Sequence, residues 1–278
     1  MELIKINKQI VKPIPGTDTT NDKIKGYDLF PELYANIFLC AKKKSGKTSV
    51  IFKIIQKCID SDTRLFVFCP THLKDENWVK IKEWLKENNI NALFFDSITD
   101  HGVNMVDTIM DVERKEAEAE AIEKQIEEEK KKIPEEAYVS WFDESDSGIH
   151  IKIKKKKKAK EAPKIMFVFD DISTELKDPC VSALLKINRH FKSKVIISSQ
   201  YPNDLQPGSR KQIDFWLIFR GHQKEKLEEI YKNADINIPF EEFANIYDQV
   251  TKEDYSFLYI DTRNNELRKN FNYDIRIK

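Results

Sequence analysis

Ile165, Met166, Phe167, Val168 and Phe169 follow one another with no polar residue between them. A strand with one face in water alternates apolar and polar positions, so an unbroken run needs cover on both faces, as inside a parallel sheet. Comparable short runs lie at Ile37 to Cys40, Arg64 to Cys69, Ala92 to Phe95, Val195 to Ser198, Phe215 to Phe219 and Ser256 to Ile260. Stretches with helical periodicity separate them, at Lys47 to Ile59, Glu76 to Glu87, Val181 to Phe191, Lys224 to Lys232 and Phe240 to Val250. Strands alternating with helices predict an α/β fold, a mostly parallel sheet flanked by helices.

One stretch breaks this rhythm. From Asp111 to Lys132 the chain is dense in Glu and Lys, which favours a long solvated helix with i,i+4 ion pairs. The acidic residues Asp143, Glu144 and Asp146 and the basic run Lys154 to Lys158 follow. The region at about 107–162 therefore reads as a charged, partly helical insertion between two strands, within a domain spanning 31–278 that follows an N-terminal segment, 1–30. The 47 Lys and Arg balance 47 Asp and Glu. Zero net charge argues against coating nucleic acid by bulk electrostatics but leaves room for a local basic channel. The four cysteines form no CxxC pair, no apolar stretch reaches the ~18 residues of a membrane span, and the N-terminus lacks a signal-peptide pattern, so the expectation is an intracellular, unsecreted protein without a membrane span.

The apolar run Ile37 to Cys40 leads directly into Ala41, Lys42, Lys43, Lys44, Ser45, Gly46, Lys47 and Thr48, and then into a helical stretch from Ser49. This is GxxxxGK[ST] with Ala41 at the first glycine, a phosphate-binding loop between strand and helix. Gly46 permits the tight turn that aims N–H groups at an anion at the helix N-terminus. Lys47 reaches the β- and γ-phosphates of ATP and Thr48 offers a hydroxyl to Mg²⁺, while Ala41, Lys44, Ser45 and Ser49 complete the candidate nucleotide contacts. Lys44 stands where many such loops carry a second glycine.

The run Ile165 to Phe169 ends in Asp170 and Asp171. An acid at the C-terminal end of a strand in the same sheet can enter the Mg²⁺ shell, which assigns Asp170 to the metal and Asp171 to general base. Val195 to Ser198 ends in Ser199 and Gln200, and Gln200 is placed to sense the γ-phosphate or hold the lytic water. Trp78 and Trp84 read as packing residues, and the five histidines have no metal-ligand spacing.

Together with the pair Arg189 and His190 and the downstream Arg210, these elements make the chain resemble the FtsK/HerA superfamily of P-loop ATPases, in particular the viral DNA-packaging branch of poxviruses, giant viruses and virophages. The resemblance runs from about Phe30 to Gly221, omitting the insertion. It implies a RecA/ASCE-like P-loop NTPase fold and an ATP- and Mg²⁺-dependent motor. The motor would act as a homo-oligomeric ring, a hexamer or pentamer, drive double-stranded DNA into a viral capsid, and contact capsid proteins. It would work in the host cytoplasm or viral factory, or on the virion. Arg189 and Arg210 are the two candidates for completing a neighbouring subunit's site; Arg210, on a turn after Pro207 and Gly208 that could present it outward, is favoured, with Arg189 acting within its own subunit alongside His190. Two alternatives share the loop: a small-molecule P-loop kinase, and a nucleotide-binding scaffold whose altered loop no longer turns over ATP.

Overall fold

The computed structural model describes residues 23–132 and 160–276. Most of the N-terminal segment, the acidic patch at Asp143 and the lysine run at Lys154 lie outside the described residues. The chain runs β1 (Asn36–Cys40), α1 (Lys47–Cys58), β2 (Arg64–Phe68), α2 (Glu76–Glu87), β3 (Asn91–Phe95), a small hairpin of β4 (Thr99–Asp100) and β5 (Val103–Asn104), and α3 (Met105–Lys132). It continues through β6 (Ile165–Asp170), α4 (Pro179–Ile187), β7 (Ser193–Ser199), α5 (Pro207–Arg210), β8 (Phe215–Phe219), α6 (Lys224–Ala234), α7 (Phe240–Val250), β9 (Phe257–Asp261), β10 (Glu266–Lys269) and β11 (Tyr273–Asp274).

The main sheet has the order β11-β10-β9-β8-β1-β7-β6-β2-β3. Strands from β8 to β3 are parallel, and β9 to β11 continue the sheet as an antiparallel meander. β7 lies between β1, which carries the loop, and β6, which carries the acids, giving the RecA/ASCE-like P-loop NTPase sheet.

The unbroken apolar runs are explained by cover on both faces. Along β1, Ile37 and Leu39 belong to the core on the face covered by α1 and α2, whereas Phe38 and Cys40 belong to the core on the face covered by α3, α4, α6 and α7. Along β6, Met166 and Val168 take the first face and Ile165, Phe167 and Phe169 the second. On the second face, register sets Phe66 opposite Phe167 and Phe68 opposite Phe169, with ring centroids 5.5 and 5.0 Å apart. Such aromatic contacts contribute about 0.5–1.5 kcal/mol each beyond burial. All four cysteines are buried free thiols, and burial pushes Cys40 and Cys180 up to about 12. Among the described residues no helix is long and apolar enough to cross a membrane.

Three segments differ from the sequence expectation. The helix expected to run to Phe191 ends at Ile187, because Lys192 adopts a left-handed conformation (φ 50°) and the Ser193 N–H donates to the Asn188 carbonyl, turning the chain into β7. β10 and β11 are short polar strands with no apolar run to announce them, joined to β9 through a turn in which Asn265 has φ 56°. Ile24, Leu29 and Phe30, inside the stretch read as an N-terminal segment, are buried, with the Phe30 ring 5.0 Å from that of Phe215.

The charged region begins as core. Val106, Ile109 and Met110 in the first turns of α3 are buried, and the buried Glu113 faces Arg64 and Lys164. Beyond Glu113 the helix presents mostly exposed side chains as far as Ile126. Glu113 Oε2 lies 3.5 Å from Lys164 Nζ, so the two ends of the charged region are close in space. Replacing residues 115–158 by a short Gly/Ser linker is expected to leave a soluble protein with a single cooperative melting transition, since no buried side chain among the described residues is removed. Loss of cooperativity, followed by circular dichroism, would show that the region belongs to the folding unit.

At the edge where the parallel strands begin, charge is buried. The Glu32 carboxylate receives Arg189 at 3.3 Å and Arg263 at 2.5 Å, and Lys194, with no exposed surface, donates to the Glu32 carbonyl at 2.7 Å. Asp214 accepts the Asn36 N–H at 2.8 Å, and burial is the main reason its carboxyl is pushed up to about 6. The folded state thus holds this proton more tightly than the unfolded chain, so the contribution favours folding below about pH 4 and is lost as pH rises through about 6. Asp214→Asn cannot make this transition. Relative to the variant, the wild type is expected to lose stability between about pH 4 and 6, read as the difference of two urea-denaturation series.

Candidate functional site

The turn after β1 rests on two left-handed residues. Lys44 has φ 63° and Gly46 φ 87°. Lys44 therefore takes the conformation that glycine takes freely, at a steric cost of roughly 1–2 kcal/mol. Ala41 is buried, and its N–H donates to the Ser199 carbonyl at 3.0 Å, so the position needs no glycine. Ser45 Oγ donates to the Lys42 carbonyl at 2.7 Å and closes the turn.

Gly46 then starts α1 without a side-chain cap. α2 and α4 begin differently, with Asp75 and Asp178 accepting from Asn77 N–H and Cys180 N–H. The first N–H groups of a helix lack intrahelical acceptors, so those of Lys47, Thr48 and Ser49 are left for an acceptor from outside the helix.

Lys47 Nζ lies 3.0 Å from Asp170 Oδ1 and donates to Asp171 Oδ1 in a short contact. Burial acts against the ammonium, but the adjacent carboxylates of Asp170 and Asp171 outweigh it and hold Lys47 above the usual lysine value. The two acids differ in setting. The Asp170 side chain is 2% exposed and its Oδ2 accepts the Trp78 indole N–H at 3.1 Å, whereas the Asp171 side chain is 40% exposed and its backbone is left-handed at φ 59°. Oδ1 of Asp170 is buried, and its partner is the Lys47 ammonium. Trp78, read from the sequence as packing, thus also fixes an acid. Its place three residues after the cap Asp75 puts it on the inward face of α2, but no local pattern links it to Asp170.

Gln200 follows β7 directly, in the sheet position between loop and acids, where Cys40 pairs with Ser199 and Asp170 with Ser198. Its carbonyl accepts Lys226 Nζ at 2.8 Å. The arginines lie elsewhere. Arg189 precedes β7 and sits at the opposite edge of the sheet, paired with Glu32 and Asp214, so a role in its own subunit's site is excluded by about 16 Å of strand. Arg210, expected on an outward turn, has its side chain only 13% exposed and held by Glu229 of α6 at 2.5 Å.

Lys43, Lys44, Lys47, Thr48, Asp75 and Asp171 are among the residues lining a cavity of about 280 Å³ at the start of α1. A polyanion would meet ammonium groups and uncapped N–H groups there. Mg²⁺ is bound through one or two carboxylates with phosphate oxygens and water completing its shell. The buried Asp170 carboxylate, with Oδ1 facing the Lys47 ammonium, suits that need, and Thr48 stands at the second position of α1.

No protein-family profile matches the chain. Two viral proteins match in part: uncharacterized protein 088R of Invertebrate iridescent virus 3, 37% identical over 133 residues (45% of this chain, 49% of the relative), and uncharacterized protein 075L of Invertebrate iridescent virus 6, 35% identical over 128 residues (43% and 49%). The matched portion spans about half the length of these relatives. Among solved structures, B204, the DNA-packaging ATPase of Sulfolobus turreted icosahedral virus, superposes with a TM-score of 0.50 at 15% identity over 85% of this chain and 96% of its own. The likeness is one of fold.

Trp78→Phe keeps a ring beside Phe94 and removes the donor to Asp170. The variant is expected to lose about 2 kcal/mol, the range for a hydrogen bond to a charged group. The checking measurement is a lower urea midpoint with unchanged denaturant slope.

Proposed function

We propose that the protein is an ATP-hydrolysing motor that translocates double-stranded DNA into a viral capsid. The observation that carries this reading is the Lys47 ammonium held between Asp170 and Asp171 at the uncapped start of α1. The fold of B204, named a DNA-packaging ATPase, supports the packaging assignment, and the matching iridescent-virus proteins support a viral setting.

In this reading the triphosphate docks on the uncapped N–H groups and Lys47 exchanges its carboxylate partners for β- and γ-phosphate oxygens. Asp171, released from the ammonium and already partly exposed, takes the proton from the attacking water. Gln200 orients that water. Asp170, fixed by Trp78, and the Thr48 hydroxyl would hold Mg²⁺, which supplies charge neutralisation on the transferred phosphoryl group when bound.

We assign the residue completing a neighbouring subunit's site to Arg189, since its side chain is 54% exposed while Arg210 is enclosed. That role calls for a homo-oligomeric ring, hexameric or pentameric, with DNA in its channel and capsid proteins as the docking partner. Its place of work is the host cytoplasm or viral factory, or the virion.

Phosphate release measured with and without duplex DNA tests the reading. Stimulation by DNA, together with a loss on the order of 10²-fold or more in Lys47→Ala, is the expected result. Phosphoryl transfer to a small acceptor would favour a kinase instead. Absence of release, with nucleotide bound, would favour a scaffold.

A further inference from the structure

A second cavity, of about 400 Å³, lies on the other flank of the loop, toward the end of β8. Lys43 and Lys44 border both cavities. Both carry ammonium groups, hydroxyls and carboxylate, and the second adds the Arg220 guanidinium and the ring of Tyr255.

Core packing does not account for Tyr255. The residue is 70% exposed and its backbone is left-handed at φ 63°, a conformation that costs a bulky residue roughly 1–2 kcal/mol and persists only where the surroundings fix it. The surroundings do fix it. On one side Asp254 pairs with Arg220 at 2.8 Å, and on the other Ser256 Oγ donates to the Glu253 carbonyl at 2.5 Å. The ring lies against the loop itself: a Cβ on Gly46 would sit 3.0 Å from Tyr255 Cδ1. Gly221, with φ 93°, borders the same cavity, where the Lys42 side chain lies against it.

A polyanion site joined through two shared lysines to a cavity with an exposed aromatic face matches a ligand with one charged end and one flat aromatic end. We propose that Tyr255 is the stacking platform for the purine base of the nucleotide, and that the cavity on the β8 side is the base subsite. The assignment rests on the nucleotide-binding reading above and specifies where the base goes. Stacking of a base on an aromatic side chain is worth about 1–3 kcal/mol, or about 5- to 150-fold in affinity.

The test compares ATP with inorganic tripolyphosphate, which has the charged end alone, by titration calorimetry. Tyr255→Gly removes the ring and accepts the left-handed backbone without strain, so folding is preserved, and Tyr255→Trp restores a platform. The expected result is wild-type protein binding both ligands, Tyr255→Gly weakened about 5-fold or more for ATP but unchanged for tripolyphosphate, and Tyr255→Trp close to wild type for both. Equal affinity of wild type and Tyr255→Gly for ATP, or equal loss for both ligands, would overturn the base subsite while leaving the phosphate site standing. Failure of the wild type to bind either ligand would overturn the nucleotide reading and this inference with it.

Discussion

Parallel strands from β8 to β3 deliver their C-terminal ends to one edge of the sheet, and the placement of every candidate site group follows from that constraint. Hydrogen bonding β1 between β7 and β8 sets the loop beside the end of β7, and pairing β6 with β7 brings the acids within reach of Lys47. The same constraint separates groups that adjoin these strands in the sequence. Arg189 precedes β7 while Gln200 follows it, and they finish at opposite edges.

The two edges use charge in opposite ways. At the beginning of the strands, Glu32 and Lys194 are buried and Asp214 is partly buried, and their pairing with Arg189, Arg263 and backbone groups ties the segment before β1 to the turns before β7 and β8. The Arg189 and Arg263 partners are half-exposed, so it is the burial of Glu32 and Lys194 that suits this edge to a structural role. At the far edge, Lys47 is 12% exposed and Asp171 40% exposed, so the ammonium can change partners when an anion arrives. Trp78 makes the difference between the two acids, since one carboxylate is anchored by a buried indole and the other is held by the Lys47 ammonium at a partly exposed position.

The loop carries the cost of this arrangement in its backbone. Lys44, Asp171 and Tyr255 all take left-handed conformations without being glycine, and all three border the cavities flanking the loop. The three lie in separate segments of the chain and meet only because β1, β6 and the turn before β9 end at the same edge.

What the sequence by itself determined is local. Unbroken apolar runs require cover on both faces, which made the parallel core and most of its strands legible. The Gly46, Lys47, Thr48 triplet after such a run located the loop, and Asp170 and Asp171 after another located the acids. Helix α3 was legible in its solvated turns but not in its first turns, where Val106, Ile109 and Met110 make it part of the core. Tertiary structure decided the rest. Trp78 meets Asp170 across 92 residues, Arg189 reaches Glu32 across 157, and Tyr255 lies on Gly46 from the far end of the domain. Hydrophobicity and backbone conformation are properties of a short window, so they can be read from it. Which side chains converge depends on strand order and register, which are fixed only when both faces of the sheet are buried together.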